Sequence, residues 1–313
     1  MADELDIIAF RRALHRRPEL SFRETGTHDL IARTLDGLGI AHRTVARTGV
    51  LARIEGRGDL RRAVVLRADI DALPIREQAD VAWRSLNDGV MHACGHDVHM
   101  TVALGVLDYF ASHQPKDNLL FFFQPAEESE AGGQRAYELG LFEGKWRPDE
   151  FYGLHDNPAL KTGVIGCRLG TLFAGTTEVD IDVLGKDGHA AFPQEANDAV
   201  VAAAALIMQV QTIISRSINP VEAGVITLGK LEAGTIRNVI AGHARIEGTI
   251  RGLTQEMIET IDRRLQDVCE GIAKSFGVTV NLTLNQGGYL PVENDLTLTK
   301  RFINFMQNNP AVD

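Results

Sequence analysis

The sequence predicts an α/β protein: a mostly parallel sheet between helices, with a ferredoxin-like β-α-β-β-α-β unit inserted after it. Three observations carry that prediction. Short runs that are apolar throughout alternate with helical periodicity in the first half of the chain. Strands of strict apolar and polar alternation take over after about residue 174. Ionisable residues gather at the ends of the all-apolar runs rather than being scattered.

The elements follow in order. Residues 3–16 read as an amphipathic helix that stops near Pro18, because proline cannot continue a helix. A second helix over 27–38 puts Leu30, Ile31, Leu35 and Leu38 on one face, and Gly39 ends it. Runs 63–70, 118–124 and 151–154 are apolar strands of the kind buried on both faces in a parallel sheet. A helix over 97–112 lies between the first two. In 177–184, Val179, Ile181 and Val183 share one face. A long helix over 198–216 follows, then strands at 223–231 and 241–251. Ile258, Ile261, Leu265, Val268, Ile272 and Phe276 mark a helix over 255–276, closed by Gly277. A last alternating strand covers 278–284, and a helix covers 295–307. The β-α-β-β-α-β order is ferredoxin-like. Domains are therefore expected at 1–174 and 175–287, with 288–313 returning to the first.

Composition narrows the function. The chain has 313 residues, room for about two domains. A net charge of −10 and the lack of a basic cluster argue against nucleic acid and anionic membranes as partners. The N-terminus lacks the basic and apolar regions of a signal peptide. The apolar stretch from Ala199 to Ile214 contains Gln209 and Gln211 and is expected to fall short of a bilayer span. Only three cysteines occur, Cys94, Cys167 and Cys269. That suits a reducing, cytoplasmic setting, with Cys167 and Cys269 read as core thiols.

The chemistry lies at the strand ends. Strand 63–70 ends in Asp69 and Asp71, strand 118–124 in Glu127 and Glu128, and strand 151–154 in His155 and Asp156. Parallel strands bring such ends to one edge, where ligands of open α/β sheets bind. The loop HACGHDVH adds His92, Cys94, His96, Asp97 and His99. Thiolate, imidazole and carboxylate together suit Zn²⁺, Mn²⁺, Co²⁺ or Ni²⁺ rather than Ca²⁺ or Mg²⁺. Cys94 and His96, two apart in an extended loop, would point the same way. One of Glu127 and Glu128 would bind the ion and the other act as general base on water. Taken singly, each feature has a plainer reading. A lone C-x-H arises by chance, Glu127-Glu128 suits a solvated turn, Asp69 and Asp71 suit a helix cap, and His155 suits a hydrogen-bonded histidine. Their coincidence in one domain favours metal-assisted hydrolysis. His15, His28, His42, His113 and His243 are read as non-catalytic.

ADIDALPI at 68–75, MHACGHDVHM at 91–100, FQPAEE at 123–128, YGLHD at 152–156 and GKDGHAAFP at 185–193 resemble the di-metal aminoacylase/carboxypeptidase amidohydrolases. That family includes hippurate and auxin-conjugate hydrolases. FAGTTEV, QTIISRSINPVE and QGGYLPVEN point to its branch that deacetylates a diamino acid of lysine biosynthesis. The resemblance implies a di-metal exopeptidase-like catalytic domain and two divalent transition metals per subunit. Cys94, His96, Glu128 and His155 would be ligands and Glu127 the base. Asp69 or Asp71 would orient a metal-bound histidine. It implies a small N-acyl amino acid as substrate and a homodimer formed through the inserted lid. His189 would reach a partner's active site and stabilise the oxyanion. Asn238 and Arg251 would bind substrate carboxylates. Relatives continue past this point into a stretch with a last histidine ligand, so a truncated, non-catalytic dimerising paralogue is the alternative to a deacetylase or hippurate-type hydrolase.

Overall fold

The computed structural model describes residues 6–58, 62–287 and 289–309, so residues 3–5 of the first predicted helix lie outside it. The chain divides into two compact units, Met1–Thr162 and Gly163–Asp313.

The first unit opens with α1 (Ile7–Arg16), capped by Asp6, whose side chain accepts from the Ala9 amide, and α2 (Thr25–Gly37). A hairpin of β1 (Ala41–Val45) and β2 (Gly49–Ile54) follows, then β3 (Ala63–Asp69) and α3 (His96–Ser112). The unit closes with β4 (Asn118–Gln124), the short α4 (Gly132–Glu138) and β5 (Glu150–Gly153). These strands form one sheet in the order β1-β2-β4-β3-β5. β3 runs parallel to both β4 and β5, while β2 is antiparallel to β1 and to β4. The sheet is thus parallel at the site and antiparallel at one edge.

Alternate residues of the strands feed two apolar layers. Val50, Ala52, Phe121 and Phe123 pack with α1, α2 and α3 through Leu14, Ile31, Leu35 and Leu104. Leu51, Val65, Leu120 and Phe122 pack on the other face with Ala136 of α4 and Leu141. This double cover explains the continuous apolar runs of β3 and β4. β5 departs from the expectation. It is an edge strand, and Phe151 is about half exposed.

The second unit begins with β6 (Gly170–Phe173), which pairs with β13 (Val292–Asn294). Between them lie β7 (Gly175–Leu184), β8 (Gly188–His189), α5 (Ala199–Thr212), β9 (Gly224–Ala233) and β10 (Val239–Ile240). β11 (His243–Gly252), α6 (Gln255–Phe276) and β12 (Thr279–Asn285) complete the set, and α7 (Leu296–Gln307) ends it. β12-β7-β11-β9 is an antiparallel sheet with the predicted β-α-β-β-α-β connectivity. α5 and α6 cover one face through Leu206, Val210, Ile261 and Leu265, against Ile181, Ile246 and Ile250. The other face is charged: Arg245 donates to Asp182 at 2.6 Å and pairs with Asp180. α6 has the predicted bounds, with Thr254 accepting from the Met257 amide and Gly277 in the left-handed conformation.

Two expectations change here. α5 continues into a π-helical turn, Ile213–Ser217, and the combined helix is long and apolar enough by length and composition to cross a membrane. Its Ala202, Ala203, Leu206 and Val210 instead line the core of this unit. Cys167, expected in the core, is exposed; Cys269 is buried. The β6–β13 pair also explains why the compact boundary precedes residue 175: the segments on either side of the ferredoxin-like unit return to each other.

Candidate metal centre

The site forms where the sheet changes direction. From β3 the chain passes through α3 to β4 on one side, then through α4 to β5 on the other. Such a reversal opens a crevice beyond the carboxyl ends of the strands. All three predicted strand ends meet there, together with the start of α3.

Asp71 and Asp69, just past and at the end of β3, take different partners. The Nδ1–H of His96 donates to the backbone oxygen of Asp71 at 2.8 Å, with Asp71 Oδ1 3.4 Å away. That turns Nε2 of His96 inward; the bond is to the Asp71 main-chain carbonyl, and the Asp71 Oδ1 beside it makes no hydrogen bond. Asp69 Oδ1 accepts from His99 Nδ1 at 2.6 Å, and its Oδ2 pairs with Arg67 at 2.6 Å. Burial pushes the Asp69 carboxyl up, but His99, Arg67 and His96 outweigh it and hold the group well below the usual range. For Asp71, too, burial is overcome, by the nearby His96 and by the bonds from Ser21 and the Glu128 amide.

Cys94 and His96 converge by a different route from the expected extended loop. Ala93 and Cys94 form a turn, and Gly95 is left-handed at φ +77° immediately before α3. A Cβ at Gly95 would collide with the Asp156 carboxylate, so glycine is required there twice over. Cys94 Sγ lies 3.4 Å from His155 Nε2. The Nδ1–H of His155 donates to the Asp156 backbone oxygen at 2.8 Å, which aims Nε2 at the thiol. His155 and His96 hold the Cys94 thiol below its ordinary value, and the same contact pushes His155 up to about 9.

Ligand-type atoms of Cys94, His96 and His155 lie within 4.8 Å of one another, as do those of His96, Glu127 and Glu128. His96 is common to both groups. Its Nε2 and Glu128 Oε1 are buried without a hydrogen bond, 3.6 Å apart. Two buried polar atoms too far apart to bond each other, beside a thiol and a second imidazole, fit a shared cation of the zinc, manganese, cobalt or nickel type. Burial lowers His96, but the neighbouring Asp71, Cys94 and Asp69 push it up to about 11. The half-buried Glu127 is raised, first by burial and then by Asp69. That direction suits a group that takes and returns a proton near neutrality.

His99 and Asp156, named in the sequence without a role, prove central. The fully buried His99 donates from Nδ1 to Asp69, and its Nε2 accepts from the Asp156 amide at 2.9 Å. Both ring nitrogens are engaged, so His99 links the end of β3 to the loop carrying His155. The signal in sequence was its spacing three residues after His96 on one helix. His15, read as non-catalytic, is buried below α3 and bonds Asp97 at 2.8 Å and Glu77 at 3.2 Å.

Within the second unit, exposed His189 lies on β8 opposite Val239 of β10. Asn238 shares that ribbon, its oxygen accepting from the Ala190 amide at 3.1 Å. Arg251 is exposed near the far end of β11, opposite Thr176 and Val225. Eight residues of strand separate it from His243, roughly 26 Å at 3.3 Å each.

The chain is similar to several known proteins. The family model of peptidase family M20/M25/M40 matches residues 65–310. A Limosilactobacillus fermentum protein named N-acetyldiaminopimelate deacetylase is 80% identical, aligned over 98% of this chain and 81% of its own length. A Lactobacillus acidophilus protein of the same name is 63% identical over 99% of this chain and 82% of its own. A crystal structure from Bacillus subtilis, described as a dinuclear metal-binding peptidase of the M20 family, superposes with a TM-score of 0.80. It is 35% identical and covers 94% of this chain and 76% of its own.

Proposed function

The chain belongs to peptidase family M20/M25/M40, and on that premise we propose that it hydrolyses N-acetyl-L,L-2,6-diaminopimelate to L,L-diaminopimelate and acetate, a step of lysine biosynthesis. The observation that carries the reading is the meeting of Cys94, His96, His155, Glu127 and Glu128 beyond the parallel strands. The substrate rests on the names of relatives 63–80% identical over nearly the whole chain.

Cys94, His96, Glu128 and His155 are the residues we assign as ligands, to two divalent ions in all. Such ions supply Lewis acidity to the amide carbonyl and make water a stronger acid. Glu127 takes a proton from water and returns it to the departing amine nitrogen. Asp71 fixes the tautomer of His96, and Asp69 acts through His99. His189 is assigned to the oxyanion and Asn238 and Arg251 to substrate carboxylates, with contributions from more than one subunit.

In this reading residues 175–287 are a lid inserted between 1–174 and 288–313. We place a homodimer interface on the lid, where α5 exposes Val200, Val201 and Met208 and β9 is an edge strand. A reducing cytoplasm suits a ligand thiol. Acetate release from N-acetyl-L,L-diaminopimelate and benzoate release from hippurate, measured side by side on metal-loaded protein, test the reading. Turnover of the first is expected. Turnover of hippurate alone, or of neither, rejects the substrate.

A further inference from the structure

A fully buried glutamate, Glu24, stands outside every role assigned so far. It occupies the N-cap position of α2 but does not cap that helix. Glu19 does so instead, accepting from the Gly26 amide at 3.0 Å and from the Thr27 amide and hydroxyl at 2.8 and 2.9 Å. The Glu24 carboxylate turns to the other side. Oε1 accepts the Ala126 amide at 2.9 Å, and Oε2 accepts the Thr48 hydroxyl at 2.7 Å. Both donors are neutral. A buried carboxylate bonded only to neutral donors is costly to keep, so its position asks for an explanation beyond stability.

Ala126 supplies one. It immediately precedes Glu127 and Glu128, and it is left-handed at φ +50°, a conformation that alanine resists. The turn is held at three backbone points. Glu24 takes the Ala126 amide. The Ala126 oxygen accepts from the Gly132 amide at 2.9 Å, and a Cβ on Gly132 would collide with the Pro125 oxygen. Asp71 Oδ2 accepts the Glu128 amide at 3.0 Å while itself bonded by the Ser21 hydroxyl at 2.7 Å. Ser21 and Glu24, three residues apart, therefore support the acidic turn from below, one through Asp71 and one directly.

We propose that Glu24 is a positioning residue for the acidic turn. By accepting the Ala126 amide it holds the left-handed bend from which Glu127 and Glu128 reach toward His96. The inference deepens the metal-dependent reading above and rests on it.

The test compares Glu24→Ala, Glu24→Gln and Glu24→Asp with Glu19→Ala, a control that loosens the start of α2 and leaves the turn alone. Zn²⁺ affinity by chelator competition, kcat and KM for acetate release, and Tm are read on each. Glu24→Ala is expected to weaken Zn²⁺ binding and lower kcat by roughly 10–100-fold, as loss of an outer partner of a metal ligand does, with KM little changed. Glu24→Gln keeps an acceptor oxygen at full length and restores most of both. Glu24→Asp keeps the charge but shortens the reach, and is expected to lose about as much as the alanine variant. It carries the test if Glu24→Ala does not fold. Wild-type Zn²⁺ affinity and kcat in the alanine and aspartate variants overturn the proposal, as do losses no larger than those of Glu19→Ala at equal Tm. If the wild type releases no acetate, the substrate reading fails, and the Zn²⁺ series still decides the role of Glu24.

Discussion

Glu127 and Glu128 are adjacent, yet the structure separates their surroundings. Glu128 has its amide on Asp71 and a buried oxygen facing His96, whereas Glu127 is the carboxyl pushed up by burial. Glu127→Gln is therefore expected to lower kcat by about 10²–10⁴-fold while Zn²⁺ content, measured by elemental analysis, stays at the wild-type level. Full activity in that variant removes Glu127 as the base. Gly95→Ala is expected to abolish tight Zn²⁺ binding, because the methyl group meets Asp156 and the residue must hold φ +77°. Isothermal titration with Zn²⁺ checks this, and wild-type affinity contradicts it. The ligand types of the site were legible in sequence because they sit at the ends of recognisable runs or in the short loop that opens a helix. The roles of His99 and Glu24 were not. A buried polar side chain declares itself only through a partner, and theirs lie 30 and 102 residues away.

The strands and helices that the sequence made plain are those whose pattern serves a single environment. β4 is apolar because both faces are covered, and α6 is amphipathic because one is. The β1–β2 hairpin escaped for the opposite reason. β1 buries only Val45, and its connection to β2 places Ala46 and Arg47 at positive φ without the Asn-Gly or Asp-Gly that announces such turns. α6 carries its own prediction. Burial, with Glu259 nearby, pushes Asp262 from 3.8 up to about 6, and its Oδ1 is buried without a hydrogen bond. The folded state disfavours the charged form, so stability is lost as pH rises from about 4 through 6. Asp262→Asn is expected to gain about 1 kcal/mol at pH 8, a Tm rise of roughly 2–4 °C. The gain should shrink toward zero near pH 4. Thermal melts across that range check the sign, and a destabilised variant at pH 8 refutes it.

At the scale of the whole molecule, the strand pattern changes near residue 174, and the structure packs two apolar layers on the sheet of the first unit and one in the second. The compact boundary itself was not legible, since the β6–β13 pair joins segments more than 100 residues apart. Metal linkage belongs to the first unit, where all the candidate ligands lie. Stripping divalent ions is expected to lower the melting of that unit by the binding term, about 2.7 kcal/mol when free Zn²⁺ stands at 100 times its Kd, and to leave the second core where it was. Calorimetry with and without a chelator measures this; a transition unmoved by Zn²⁺ contradicts it. The reversal of chain direction at β3 bears also on how the protein reaches its native state. Cys94, Glu128 and His155 come from three successive excursions of the chain, so no early hairpin or isolated helix can assemble them. Docking of β5 beside β3 completes the set, and because distant pairings close slowly, tight ion uptake during refolding should trail the recovery of helical signal.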